Sequence, residues 1–384
     1  MILPEATLGV LGGGQLGRMF TAAARSMGYK VIILDPDPMS PAAALANEHL
    51  QNEYTDIDAL NYLATHCAAV TTEFENVPID ALRYLESRCP VRPGSTAVEI
   101  AQDRIREKTF IRVCGLETAA FCPIRNEQEL TAALSAVRLP AILKTATLGY
   151  DGKGQRIISE PSQARVAFDE LGNVPCVLEE RVDLQMELSV LLARNSQGEV
   201  AVYPLAENHH VNGILDTSIV PARTSADIVR RATNMARTLA EQLDYCGLLT
   251  VEFFLTSDNE LLINEIAPRP HNSGHYTLDA CITNQFEQQV RMLCGLPPGD
   301  TQLLSPTTMI NLLGDLWLDG PPEWGKIFHY PNAKLHLYGK HGPRPGRKMG
   351  HCNIVANKLE QAIHVSRRIH LALLQPYGKV GISK

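Results

Sequence analysis

The sequence predicts an α/β protein built from more than one lobe. Short β-rich runs alternate with helical ones through the first hundred residues, and a strand-rich segment with clustered glycines follows. The chain has 384 residues, of which 45% are hydrophobic and 20% charged, enough apolar material for two or three cores rather than one. A formal net charge of −7 argues against a broad nucleic-acid surface, although local basic clusters can still hold a small anion. The first ten residues carry no basic n-region, and no run approaches the ~20 apolar residues of a membrane span, so a cytoplasmic protein without a membrane partner is expected. The nine cysteines are scattered without a CxxC pair, which suits reduced thiols. Cys67, Cys89, Cys114 and Cys246 read as packing residues.

The first elements are a strand at Leu8–Leu11 and a helix from Gln15, joined by the glycines of "TLGVLGGGQLG". Glycines at 12, 14 and 17 after an apolar run have dinucleotide spacing, and the next strand, Val31–Leu34, ends at Asp35, near where a ribose-binding acid would stand. Taken alone, this is the signature of a nicotinamide enzyme. A helix near Asp58–His66, a strand at Ala69–Glu73 and a helix at Ile79–Ser87 continue the alternation into a parallel, doubly wound sheet. Pro90–Gly94 is a connector, and 95–115 is helical and charged.

Ala141–Lys144 and Arg156–Ile158 read as a hairpin with the loop Gly149–Gln155 between them. With a helix at Pro161–Leu171 and a strand at Cys176–Val182, they form a small unit suited to act as a lid. Segments 186–204 and 247–266 read as longer strands separated by the amphipathic helix Ser225–Asp244. The last hundred residues mix strands such as Lys334–Tyr338 with a final helix near Lys358–Leu374.

The chemistry lies in the later glycine loop and in a second hairpin downstream of it. Several glycines let backbone N–H groups approach a polyphosphate, with a lysine to neutralise it; a plain hairpin turn is the competing reading. GxxxxGK[ST] occurs nowhere, so this is not a Walker A loop. Thr250–Phe254 and Leu261–Glu265 form a hairpin across Ser257–Asn259, in which Glu252 and Glu265 share one face amid apolar neighbours. Buried carboxylates need a counter-charge. Magnesium, which takes one or two carboxylates plus nucleotide phosphates, supplies it. His271 and His275 are spaced i, i+4, but Pro270 and Gly274 oppose the helix a zinc pair needs. A magnesium–ATP site therefore explains more of the sequence than a nicotinamide site.

Six ordered blocks, "GVLGGGQLGRM", "TTEFENV", "LKTATLGYDGKGQ", "ENHHVNGILD", "NEIAPRPHNSGHYT" and "PGRKMGH", resemble the ATP-grasp enzymes, and within them the N5-carboxyaminoimidazole ribonucleotide synthetases of purine biosynthesis. The resemblance implies an ATP-grasp fold with an N-terminal Rossmann-like lobe over 1–100 and an ATP-grasp domain over 101–297, whose lid spans about 115–185. A C-terminal α+β lobe takes 298–384, and nothing in Leu374–Lys384 matches a block. The implied reaction joins 5-aminoimidazole ribonucleotide to bicarbonate while ATP becomes ADP and phosphate, through carboxyphosphate, in a site that excludes water.

The resemblance also implies roles. Arg104 and Lys144 would contact ATP phosphates, with Gly149, Tyr150, Asp151, Gly152, Lys153, Gly154 and Gln155 covering them. Glu179, Glu180, Arg181 and Val182, with Glu187, would hold adenine and ribose, and His210 and Asn264 would complete the nucleotide surroundings. Glu252 and Glu265 would hold Mg2+, or Mn2+ in its place. Tyr150, Asp151, Lys153, Arg269 and Lys348 are the expected catalytic residues. Gln15, Leu16, Glu73, His271, Asn272, Ser273, Lys340, Arg347 and Lys348 would bind the ribonucleotide and bicarbonate, so the first glycine turn faces a ribonucleotide rather than NAD. A homodimer is expected. A formate-dependent glycinamide ribonucleotide transformylase with the same core is the alternative.

Overall fold

The computed structural model describes residues 1–149 and 152–374. Tyr150, Asp151 and residues 375–384, and with them the roles expected of Tyr150 and Asp151, lie outside the described residues. The N-terminal lobe is a four-stranded parallel sheet in the order Glu48–Leu50, Lys30–Leu34, Thr7–Leu11, Ala69–Thr72. Its central strand is apolar on both faces, with Leu8, Val10 and Leu11 fully buried, as a parallel strand covered by helices must be. The strand Glu48–Leu50 escapes sequence reading because three residues carry no period.

The charged helical stretch is two helices, Ser95–Gln102 and Arg104–Val113. Asp103 leaves the helical conformation, and its carboxylate accepts from the N–H groups of Ile105 and Arg106, capping the second helix. That restart places Arg104, Glu107 and Lys108 on helical positions facing the centre of the molecule.

The small unit is an antiparallel sheet in the order Phe121–Ile124, Cys176–Glu180, Ala141–Thr145, Gln155–Ile158. It has its own core, in which Ile124, Leu143, Ile158 and Leu178 pack against the helices Glu127–Ala136 and Ser162–Glu170. The strand ends at Glu180, two residues before its expected end.

The largest sheet has nine strands. Segment 186–204 is not one strand. Leu184–Arg194 turns at Asn195, whose side-chain oxygen accepts from Gln197 and Glu199 N–H, and returns as Val200–Val202. Leu188, Val190 and Leu192 face the helix Ala226–Gln242, while Leu191 and Ala193 face Met292 of the helix Gln285–Leu293, so period two serves two cores at once. Ala206–Val211, Ile214–Val220, Thr307–Leu313 and Lys348–Val355 are strands that polar content hid from sequence reading. Through the pairing of Thr217 with Ile310, the C-terminal strands continue this sheet. Arg92 ties the first lobe to the helix Gln285–Leu293 that packs on this sheet by donating to the carbonyls of Met292 and Leu293, at 2.9 Å each. All nine cysteines are free thiols, and among the described residues no helix is long and apolar enough to cross a membrane.

Candidate active site

A cleft of about 850 Å³ runs between the three units. The first glycine turn forms one end. There Gly14 N–H donates to one oxygen of Glu73 at 2.5 Å, Gly17 N–H to the other at 2.7 Å, and Gly13 N–H to Asp35 at 2.6 Å. The donors that a dinucleotide pyrophosphate would need are therefore taken by the protein's own carboxylates. Glycine is required for that approach: a Cβ on Gly12, at φ +103°, would lie 2.4 Å from Glu73 Cγ, and one on Gly17 would lie 2.6 Å from the Gly12 carbonyl oxygen. The nicotinamide reading of the fingerprint fails here, and Asp35 serves the turn and Tyr54 rather than a ribose. Gln15 and Leu16, at the start of the helix Gln15–Ser26, remain on the cleft wall.

Glu252 and Glu265 are directly opposed in the hairpin Gly247–Thr256/Leu261–Ala267, as alternation predicts. Between Glu252 and Phe253 the register jumps, because Phe253 pairs with Ile263, so Asn264 is an extra residue in its strand. This bulge sets the consecutive residues Asn264 and Glu265 on the same wall as Glu252 and Phe254. Burial first and then the charge of Glu265 push the Glu252 carboxyl up to about 7. Burial also raises Glu265, but Arg104, 2.9 Å away, with Lys144 and Lys108, more than offsets it and leaves Glu265 below its ordinary value. The Asn264 side-chain oxygen is buried and unpartnered. Two carboxylates and an orphaned amide oxygen form a hard, oxygen-only donor set that fits magnesium.

Lys144 reaches the cleft from the lid strand Ala141–Thr145. Its ammonium lies 2.6 Å from Glu179, whose other oxygen is 2.9 Å from Lys108 of the helix Arg104–Val113. Lys108 also donates to the Asn264 carbonyl at 3.1 Å. Glu179 is thus a buried bridge between two lysines, 2% exposed and off the cleft wall. Burial raises its carboxyl, but the lysines dominate and bring it down to about 2. Burial lowers the Lys144 ammonium despite Glu179. Glu107, the neighbour of Lys108, is pushed up to about 8 by burial and by Glu265.

Glu187 and His210 stand on the wall as an ion pair. Burial lowers His210, Glu187 and Glu252 together raise it more, and the ring ends above its ordinary value. Arg269 is paired with Glu75 of the first lobe. His271 Nε2 lies 3.1 Å from Glu252 Oε1. Asn272 is 6% exposed, and neither polar atom of its side chain has a partner in the protein. Lys340 bridges the Gln15 side-chain oxygen, at 2.5 Å, and the Lys348 carbonyl, at 2.9 Å. Arg347 is stitched to the loop before it through the carbonyls of His341 and Gly342.

Gly149, Gly152, Lys153 and Gln155 line the cleft from the lid loop. Gly154 stands behind it; a Cβ there would lie 2.7 Å from Thr145 Oγ1. Glu180, Arg181 and Val182 are off the wall, and the N–H groups of Glu180 and Arg181 are spent on the carbonyls of Ala120 and Pro140. Ser273 is buried behind His271.

Sequence reading missed Glu75, Lys108 and Glu107. Glu75 lies two residues after Glu73 in a block already singled out. Lys108 follows Arg104 at i+4, and two cations on one helix face call for buried carboxylates.

Family models match residues 5–102 as a ribonucleotide synthetase preATP-grasp domain, 109–286 as an ATP-grasp domain and 307–365 as a phosphoribosylaminoimidazole carboxylase C-terminal domain. The N5-carboxyaminoimidazole ribonucleotide synthase of Bacillus subtilis is 47% identical over 353 residues, spanning 91% of this chain and 92% of the relative. The chain belongs to the N5-carboxyaminoimidazole ribonucleotide synthase family. It shares the ATP-grasp ligase architecture of that family throughout. The synthetase of Thermus thermophilus superposes with a TM-score of 0.89 at 40% identity, covering 97% of this chain and 100% of that one. The Aspergillus clavatus synthase, solved with ADP and 5-aminoimidazole ribonucleotide, superposes with a TM-score of 0.89 at 30% identity, covering 96% and 98%.

Proposed function

We propose that the protein carboxylates 5-aminoimidazole ribonucleotide with bicarbonate, converting ATP to ADP and phosphate, in purine biosynthesis. The observation that carries this reading is one cleft with two unlike ends. Lys144 and the Glu252–Asn264–Glu265 face lie at one; Gln15, with Lys340, Arg347 and Lys348, lies at the other. The first end suits a polyphosphate with its cation, and the cations of the second suit a phosphorylated ribose. Ile142 of the lid and Phe254 of the large sheet give apolar walls for a purine base, with Glu187 and His210 beside them for its ribose.

Bicarbonate oxygen attacks the γ-phosphorus, ADP leaves, and the carboxyphosphate so formed passes its carboxyl group to the exocyclic amine, releasing phosphate and a proton. Arg104, Lys144 and Lys153 hold the polyphosphate. Arg269, His271 and Asn272, between the two ends, receive bicarbonate; the unpartnered Asn272 amide offers both a donor and an acceptor. Glu252, Glu265 and Asn264 would hold magnesium, which neutralises charge developing on the phosphates. Gly149, Gly152 and Gln155 close over the reacting groups and exclude water.

The domain bounds 1–100, 101–297 and 298–384, a cytoplasmic location and a homodimer belong to the same reading. Bicarbonate-dependent ADP formation, measured with and without 5-aminoimidazole ribonucleotide, tests it. Formate and glycinamide ribonucleotide supporting turnover in their place would select the transformylase alternative.

A further inference from the structure

Behind His271 runs a continuous buried row of polar groups that the proposed chemistry does not touch. Ser218 Oγ donates to the Asn208 side-chain oxygen at 2.8 Å, and the Asn208 amide nitrogen donates to Ser189 Oγ at 2.9 Å. Ser189 Oγ donates to Ser273 Oγ at 2.8 Å, and Ser273 Oγ lies 2.8 Å from His271 Nδ1. Ser218, Asn208, Ser189 and Ser273 are each 6% exposed or less. They come from three strands and the turn after the metal hairpin, so only the assembled sheet brings them together.

The polarity of this row is fixed at its end. The Ser273 backbone N–H also points at His271 Nδ1, at 3.3 Å, and a backbone amide can only donate. Nδ1 is therefore an acceptor, the Ser273 hydroxyl donates to it as well, and the ring proton of the neutral imidazole sits on Nε2. Nε2 lies 3.1 Å from Glu252 Oε1.

We propose that Ser218, Asn208, Ser189 and Ser273 are positioning residues that hold His271 as its Nε2–H tautomer and so aim Oε1 of Glu252 at the ring, leaving its second oxygen for the cleft. The inference rests on the reading of Glu252 as a carboxylate of the reacting end. Groups that orient a site's inner residues typically change affinity or activity by about 10- to 100-fold when removed.

The test uses the full chain labelled with 15N-histidine, free of metal and nucleotide, at one fixed neutral pH, with His271→Gln to identify the ring signals. The expected spectrum of the unsubstituted protein has an unprotonated Nδ1 and a protonated Nε2. Ser273→Ala moves both signals toward averaged values, Ser189→Ala moves them the same way by less, and Ser273→Thr restores the original pattern. In the full assay, Ser189→Ala lowers kcat about tenfold with the KM for ATP unchanged. If Ser273→Ala does not fold, Ser189→Ala carries the same comparison one bond further away. A proton on Nδ1 in the unsubstituted protein overturns the proposal. So do alanine variants with lowered melting temperature but unmoved ring signals and kcat, since that is the behaviour of packing residues. The spectrum judges the row even where bicarbonate-dependent ADP formation fails, so the two readings fall separately.

Discussion

Glu179 shows how one buried carboxylate can prepare a site without facing it. It neutralises Lys108 and Lys144 together, and removing its charge takes from both buried ammonium groups the carboxylate they pair with directly. Glu179→Gln is expected to cost about 3–5 kcal/mol at neutral pH, read by urea denaturation. The pH dependence follows from the direction of its shift. Its carboxyl falls from 4.5 to about 2 on folding, so its contribution is complete above about 4.5 and is lost as pH falls through about 2. The Gln variant should flatten that acid limb; an unchanged slope between those values would assign the limb to other carboxylates. Glu265→Gln tests the other carboxylate cluster. Turnover should fall by at least about a hundredfold while circular dichroism stays native, and near-normal ADP formation at ordinary magnesium would remove Glu265 from the reacting end.

At the scale of elements, two local irregularities do the positioning. The break at Asp103 restarts a helix so that Arg104 meets Glu265, and the bulge at Asn264 gives adjacent residues a common wall. The lid hairpin brings Lys144 in on a separate sheet, away from Lys340, Arg347 and Lys348, which come from the C-terminal segment. Lys144→Ala should raise the ATP requirement sharply and leave the affinity for 5-aminoimidazole ribonucleotide nearly unchanged. Titration of each ligand separately checks this, and equal weakening of both would place Lys144 between the two ends.

The whole molecule assembles the substrate end from its two extremes. Gln15 and Lys340, 325 residues apart in sequence, meet at 2.5 Å, and Glu75 of the first lobe holds Arg269 of the loop after the strand Leu261–Ala267. Neutralising Arg347 or Lys348 should weaken the ribonucleotide by roughly 1.5–3 kcal/mol, about 10- to 100-fold, with ATP binding barely changed. Substrate titrations of Arg347→Ala and Lys348→Ala at saturating ATP and bicarbonate measure it. Wild-type dependence in both would return the pair to ordinary surface charge and leave Arg269 as the cation of the reacting end.

The sequence by itself determined what local rules govern. Alternation set Glu252 opposite Glu265, glycine spacing marked the first turn, and six ordered blocks specified the family. Period and spacing act over a few residues, so they survive in a linear reading. Tertiary structure decided which partners meet. The same glycine turn serves a pyrophosphate or Glu73 depending on what folds over it, and only the packing of the strand Ala69–Thr72 beside Thr7–Leu11 delivers Glu73. Lys108 and Lys144 arrive from two different elements to meet Glu179, a pairing that no local rule shows. Electrostatic pairing depends on distance in space, and in this chain the deciding pairs lie tens to hundreds of residues apart.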